Sequence, residues 1–284
     1  MQRALVEVLL LSAAAGAISV HVVLRRLAFL GDALTHAIFP GIAVAFVLDQ
    51  SLVLGALVAA VLAAVALSLA TQVSRIDTDA AMGVLLGLFF SAGVVVVSTR
   101  PSFTADLTAL LFGRILTVDG REMLDTAILT ALVLTALALA HKELVLRAFD
   151  PVAARALGYR TLAIDLLLNV LVALVTVAAV RAVGTVLVIA LLVIPAATAR
   201  LLTSRLDALF AVSIGVSALC GYIGLVASYD LSIEHDLRLA SGAAIVVVLG
   251  CAFVLAAVWS RIGRRSGVHR LRPGQRNTAA GGAP

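Results

Sequence analysis

The sequence predicts an all-α fold, a polytopic bundle of eight or nine membrane-spanning helices. Composition is the first observation behind this. Of 284 residues, 62% are hydrophobic and 13% charged, and the mean hydropathy is +1.14. Soluble domains carry about a quarter charged residues, so this chain lacks the polar coat of a soluble globule. The second observation is the recurrence of apolar windows long enough to cross a bilayer. The third is that the polar connectors between them alternate between basic and non-basic. Aromatic residues are only 5%, and Ala, Val and Leu dominate; small side chains let helices approach closely in lipid.

The first window covers about residues 4–24. Arg3, the apolar run and "SAAAG" share features with a signal peptide, but Glu7 interrupts the apolar region and the run continues to Leu24. A first membrane span is therefore expected. Further windows fall at about 31–48, 52–73, 80–97, 124–141, 161–180, 183–202, 208–228 and 243–260. Two of them are short, which keeps eight spans in the count beside nine. Arg25–Arg26, "SRIDTD" (74–79), the stretch 141–160, the stretch 200–205 and the region after Ser260 hold most of the Lys and Arg. The connectors between are "DQS" at Asp49, residues 99–106, and the acidic "YDLSIEHD" (229–236). Placing the basic set in the cytoplasm gives one consistent orientation, with the C-terminus inside and, for nine spans, the N-terminus outside. "FTADLTALLFGRIL" (103–116) fits no span and reads as a re-entrant or interfacial helix on the outer side. Residues 1–260 form the membrane domain. Residues 261–284, with Arg261, Arg264, Arg265, Arg270, Arg272 and Arg276, form a basic, Pro/Gly/Ala-rich cytoplasmic tail expected to be disordered. A basic tail beside a membrane points to the cytoplasmic face rather than to nucleic acid. Cys220 and Cys251 lie in apolar runs and read as small hydrophobes.

Within this apolar background "GDALTHAIFPG" (31–41) stands out. Asp32 and His36 are four apart, so on a helix they share one face. Ionisable groups inside a membrane are expensive and usually face a cavity or each other. One reading is an Asp–His hydrogen bond that locks helices together. The other is a divalent cation taking a carboxylate and a neutral imidazole, an O/N set that suits Mn²⁺, Zn²⁺ or Fe²⁺. Pro40 lacks the N–H that would bond the His36 carbonyl, which predicts a free backbone oxygen in the same turn, and Thr35 brings a hydroxyl nearby. Gly41 follows as a small residue on the same segment.

In "LRAFDPVAARALGY" (146–159), Asp150 is a good N-cap, Pro151 suits the first helical position and Gly158 suits the C′ position. A short amphipathic cytoplasmic helix follows, carrying Arg155 on its polar side, either as a docking element or as an ordinary helical loop. Pro195, in "VGTVLVIALLVIPAATARLL" (183–202), is expected to interrupt a span, beside a pathway or as a packing kink.

Taken together, "LRRLAFLGDALTHAIFPGIAVAF", "DTDAAMGVLLGLFFSAGVVVVS", "LLFGRIL", "AFDPVAARALGY" and "VGTVLVIALLVIPAATARLL" resemble, in order, the permease subunit of the ABC-3 family of bacterial manganese, zinc and iron importers. The resemblance implies a multi-pass protein of the bacterial inner membrane. It implies a homodimer bound to two copies of a cytoplasmic ABC ATPase and supplied by an extracytoplasmic metal-binding protein. It also implies that Asp32 and His36 contact the ion in transit, and that Phe149, Asp150, Pro151, Arg155 and Gly158 belong to the helix coupling the permease to the ATPase. Pro40, Gly41 and Pro195 would shape the pathway. No permanently bound cofactor is expected; the divalent ion is cargo. Two departures from the family pattern are the longer, proline-free "YDLSIEHDLRLASG" link and His21 at a usually apolar place.

The chain contains no G-x-x-x-x-G-K-[ST] phosphate loop, so ATP hydrolysis is assigned to a partner and no catalysis to this chain. A stand-alone secondary metal transporter is the alternative. It needs a proton relay, and the deep acids are few: Glu7, Asp32 and Asp165. An intramembrane protease lacks its motifs. The sequence does not choose among the three metals, nor decide whether His21, Asn169 or the 230–236 stretch contacts the ion.

Overall fold

The computed structural model describes residues 2–72, 77–98, 119–234 and 240–268. The segment 103–116, the connector 99–106, most of 73–79, residues 235–239 and the tail from 269 onward lie outside the described residues. Twelve α-helices and no strand occur among the described residues. They are α1 (Gln2–Leu24), α2 (Leu30–Ala37), α3 (Phe39–Val47), α4 (Leu52–Ala70), α5 (Thr78–Ser98), α6 (Gly120–Leu139), α7 (His141–Phe149), α8 (Pro151–Ala156), α9 (Thr161–Val183), α10 (Thr185–Leu202), α11 (Leu206–Glu234) and α12 (Ser241–Val268). Nine helical segments among the described residues are long and apolar enough to cross a membrane, with α2 and α3 together making one of them.

Lipid tails are as apolar as the side chains they meet, so close packing and interhelical hydrogen bonds hold such a bundle. α1 is the central column, packed on α6, α10 and α11. Its seam with α11 carries hydroxyls. Ser213 Oγ donates to the Gly16 carbonyl at 2.7 Å and meets Ser19 Oγ at 2.9 Å. α9 packs on α4 and α2, where Asn169 Nδ2 donates to Ser68 Oγ at 2.9 Å. That places Asn169 in an interhelical bond. The tightest crossing joins α3 to α4. A Cβ built on Gly41 would lie 2.1 Å from the Gly55 carbonyl oxygen, and one on Gly55 would lie 2.2 Å from that of Gly41. Only two hydrogens facing two carbonyls permit that approach.

Three local expectations change. Pro195 does not interrupt its span: α10 runs unbroken through it. A proline removes one hydrogen bond, and Thr198 Oγ1 bonds the Ile194 carbonyl at 2.8 Å in the same turn. Tyr229 to Glu234 continue α11 as helix rather than forming a loop. α12 continues to Val268. Cys220 is buried and Cys251 exposed, both as free thiols.

Candidate metal site and candidate docking helix

α1 ends before the linker 25–29. The Leu27 N–H bonds the Val22 carbonyl and the Arg26 N–H bonds that of Val23. This is a Schellman closure with Arg26, at φ 58°, where glycine is usual. The closure turns the chain directly into α2. On α2, Asp32 Oδ1 and His36 Nε2 lie 3.5 Å apart, and the side chains are 36% and 41% exposed respectively. The pair thus opens outward from the chain rather than being sealed inside it. The His36 ring stands edge-on to Phe90 of α5, with centroids 5.5 Å apart and planes at 88°. Phe90 in turn contacts Phe39, at 5.6 Å.

The span then breaks at Ile38, and α3 restarts with Pro40 in its first turn. The Ile38 N–H bonds the Leu34 carbonyl at 3.1 Å, so it keeps the α2 ladder and leaves the Pro40 effect on the His36 carbonyl in place. Thr35 is buried and donates to the Gly31 carbonyl at 2.7 Å. Its hydroxyl serves its own helix. This face of α2 therefore offers an ion one carboxylate and one imidazole, with no group of three or more His, Cys, Asp or Glu among the described residues. An apolar groove of about 560 Å³ between α3, α4 and α5 runs beside Pro40 and Gly41, and it adds no charged group. Pro195 is buried on α10, whose Leu192 packs against Gly31.

The second cluster lies at the α7–α8 corner. Asp150 caps α8, accepting from the Val152 and Ala153 N–H groups at 3.1 and 2.8 Å, with Pro151 at the helix start. Gly158, at φ 81°, closes it: its N–H bonds the Arg155 carbonyl, and the Tyr159 N–H bonds that of Ala154. Ala154 alone is buried in α8. Phe149, Val152 and Leu157 are 62%, 76% and 69% exposed. These large apolar groups stand on a connector outside the spans, and none of the described residues covers them.

Three features escaped sequence reasoning. Phe90 backs His36, Gly55 mirrors Gly41, and a buried ion cluster joins Arg25, Arg147 and Asp165. His21 is fully buried against Phe210 and His141, with ring centroids at 5.3 and 6.5 Å, on α1 rather than beside Asp32.

Comparison with known proteins agrees with this arrangement. Residues 1–260 match the ABC 3 transport family. The manganese transport system membrane protein MntC of Halalkalibacterium halodurans is 37% identical over 260 residues, covering 92% of this chain and 87% of that protein. The manganese import system permease protein ScaB of Streptococcus parasanguinis is 35% identical, covering 90% and 89%. A probable iron transport system membrane protein of Haemophilus influenzae is 31% identical, covering 92% and 94%. Among solved structures, PsaBC from Streptococcus pneumoniae in complex with Fab superposes with a TM-score of 0.77 at 32% identity, over 90% of each chain. On the family match across its membrane domain and on these relatives, the chain belongs to the ABC 3 transport family.

Proposed function

We propose that this chain is the permease subunit of an ATP-driven importer of divalent transition-metal ions, with manganese the first candidate. The Asp32–His36 pair carries the reading. It is a carboxylate and an imidazole 3.5 Å apart, half-exposed, in a span otherwise made of apolar residues. Both groups are ordinary ligands of Mn²⁺, Zn²⁺ and Fe²⁺. Relatives named for manganese, with one named for iron, favour Mn²⁺.

One chain supplies two ligands, fewer than such an ion takes. A second copy would supply the other pair. α5, on which His36 rests through Phe90, leaves Gly83 and Gly87 with open space around them. Two small residues four apart are what a helix–helix contact in lipid uses. On the cytoplasmic side, the exposed Phe149, Val152 and Leu157 fit a groove on an ATPase subunit, one for each permease copy. On the outer side a metal-binding protein delivers the ion. The ion sits partly dehydrated between Asp32 and His36, and the ATPase cycle tilts α8 to open the inner face. Affinity must stay moderate for the ion to leave.

The test is uptake in a strain lacking its own metal importers, with the partner subunits supplied. Manganese, zinc and iron isotopes are compared for wild type, Asp32→Ala and His36→Ala. The expected result is saturable, ATP-dependent manganese uptake lost in both variants. Normal uptake by both variants in an intact complex refutes the site.

A further inference from the structure

Asp165 sits in the first turns of α9, almost buried, between two guanidiniums. Its Oδ1 pairs with Arg25 Nη2, and its Oδ2 accepts from Arg147 Nη2 at 2.9 Å. Arg25 closes α1 and begins the linker into α2, the ion-binding helix. Arg147 lies on α7, two residues before Phe149 and the capped helix α8. α9 itself packs on α2. One carboxylate therefore ties the base of the docking helix to the base of the ion-binding helix.

The cluster is also one anion short. Two partly buried cations share a single carboxylate, and the Arg25 Nη1 and Arg147 Nε atoms are buried with no hydrogen-bond partner. Burial, and then the Arg147 charge, draws the Arg25 pKa down to about 10, so that guanidinium remains charged at neutral pH. One turn before Arg147, on the same helix, Glu143 Oε2 is buried and equally without a partner. Spacing of i,i+4 is the spacing at which a helix pairs Glu with Arg. An unmatched acceptor beside unmatched donors marks a place where a second arrangement is available.

We propose that Asp165 is the positioning residue through which the docking helix moves the ion-binding helix, with Glu143 as the alternative partner that takes Arg147 when the docking helix tilts. In the arrangement seen here Arg147 holds to Asp165, and Arg25 and the linker are pinned. When Arg147 turns to Glu143, Asp165 keeps Arg25 alone and the α1–α2 linker is released from α7. Both arrangements keep each guanidinium paired, so the exchange strands no buried charge. Removing Asp165 strands both. The inference rests on the transport reading above, because it requires an ATPase on α8.

The experiment uses the full complex in proteoliposomes and measures manganese taken up per ATP hydrolysed. Asp165→Asn should keep ATP hydrolysis while uptake per ATP falls by about 5- to 150-fold, the usual span of a coupling between two sites. Asp165→Glu should recover most of the ratio. Glu143→Gln should lower the ratio with no loss of thermal stability, since that side chain bonds nothing in this arrangement. Asp165→Asn with Arg147→Gln should be no worse than Asp165→Asn alone. A wild-type ratio in Asp165→Asn overturns the proposal. So does a parallel loss of hydrolysis and uptake that Asp165→Glu fails to rescue. If Asp165→Asn does not assemble, an unchanged ratio in Glu143→Gln overturns it. A wild-type complex that hydrolyses ATP without moving any metal would instead refute the transport reading. The inference is then read from spin labels at Lys142, exposed at the start of α7 and outside the docking contact, and at the exposed Val44: an ATP-dependent distance change lost in Asp165→Asn upholds it, and one retained there overturns it.

Discussion

Gly41→Ala puts the α3–α4 crossing to the test. The new methyl would sit 2.1 Å from the Gly55 carbonyl oxygen and close to the Ala59 methyl, at 2.5 Å. Carbon–oxygen contacts across helices settle at about 3.3–3.6 Å, so the two helices must part by about 1.2 Å or more at this point. The obstacle on the far side is backbone, which cannot swing away like a side-chain tip. Overpacking of this kind costs about 1–3 kcal/mol. At roughly 2–4 °C per kcal/mol, the detergent-solubilised protein should melt about 2–12 °C lower. Gly55→Ala meets the mirror-image contact at 2.2 Å and should lose a similar amount. One separation of the helices relieves both clashes. The double variant should therefore cost clearly less than the two single losses together. Because Pro40 and the break at Ile38 adjoin Gly41, manganese binding should weaken as well. A wild-type melting temperature for Gly41→Ala, or full additivity in the double variant, refutes the geometry.

Other outcomes follow from the same structure. If His36 ligates the ion as proposed, His36→Ala should weaken manganese binding, measured by calorimetry, more than the about 10- to 100-fold typical of outer-shell losses. Phe90→Ala removes only the edge-on support, worth about 0.5–1.5 kcal/mol, and should weaken binding by roughly 2- to 10-fold. Asp150→Ala loses a cap worth about 0.5–2 kcal/mol. Retention of the ATPase on the purified permease should fall, and Gly158→Ala, forced into φ 81°, should act alike. Asn169→Ala should lower the melting temperature by the loss of one interhelical bond, about 0.6–1.7 kcal/mol, and leave manganese affinity unchanged. In a tandem-linked pair of copies, His36→Ala in one copy alone should abolish most uptake.

The spans were legible because bilayer thickness imposes a length, and apolar windows of that length are visible without any tertiary knowledge. The Asp32–His36 pair was legible because i,i+4 spacing is a local property and charge in an apolar span is conspicuous. The caps on α8 were legible for the same reason: Asp150, Pro151 and Gly158 act within one turn of themselves. What escaped was long-range. Asp165 meets Arg25 across 140 residues and Arg147 across 18, and no local pattern announces such a meeting. Gly41 and Gly55 look like ordinary small residues until the helices cross. Pro195 misled because a missing hydrogen bond was read as a break, whereas α10 continues as helix through it. The Tyr229–Glu234 stretch misled because its polarity looked like a loop, although helix needs only local hydrogen bonds and tolerates polar faces at a membrane edge.

Two ligands on a half-exposed face are a weak trap for a metal, and weakness is what a carrier requires. A cage of four ligands within one chain would hold its ion through every rearrangement of the bundle, because α2 is a single short rigid helix. In the proposed two-copy arrangement, splitting the set between copies would make affinity depend on the distance between them. Held together, two carboxylates and two imidazoles would surround the ion; moved apart, each pair would revert to half a site. The affinity change then comes from rigid-body motion, with no need to distort α2. Phe90 and the Gly41–Gly55 crossing fit that division, since both keep α2 and α3 fixed within their own copy. This is why the tandem-linked variant is informative. If one intact Asp32–His36 pair carried the ion unaided, a single His36→Ala would leave about half of the uptake. Near-complete loss is expected only if the ion must touch both copies at once.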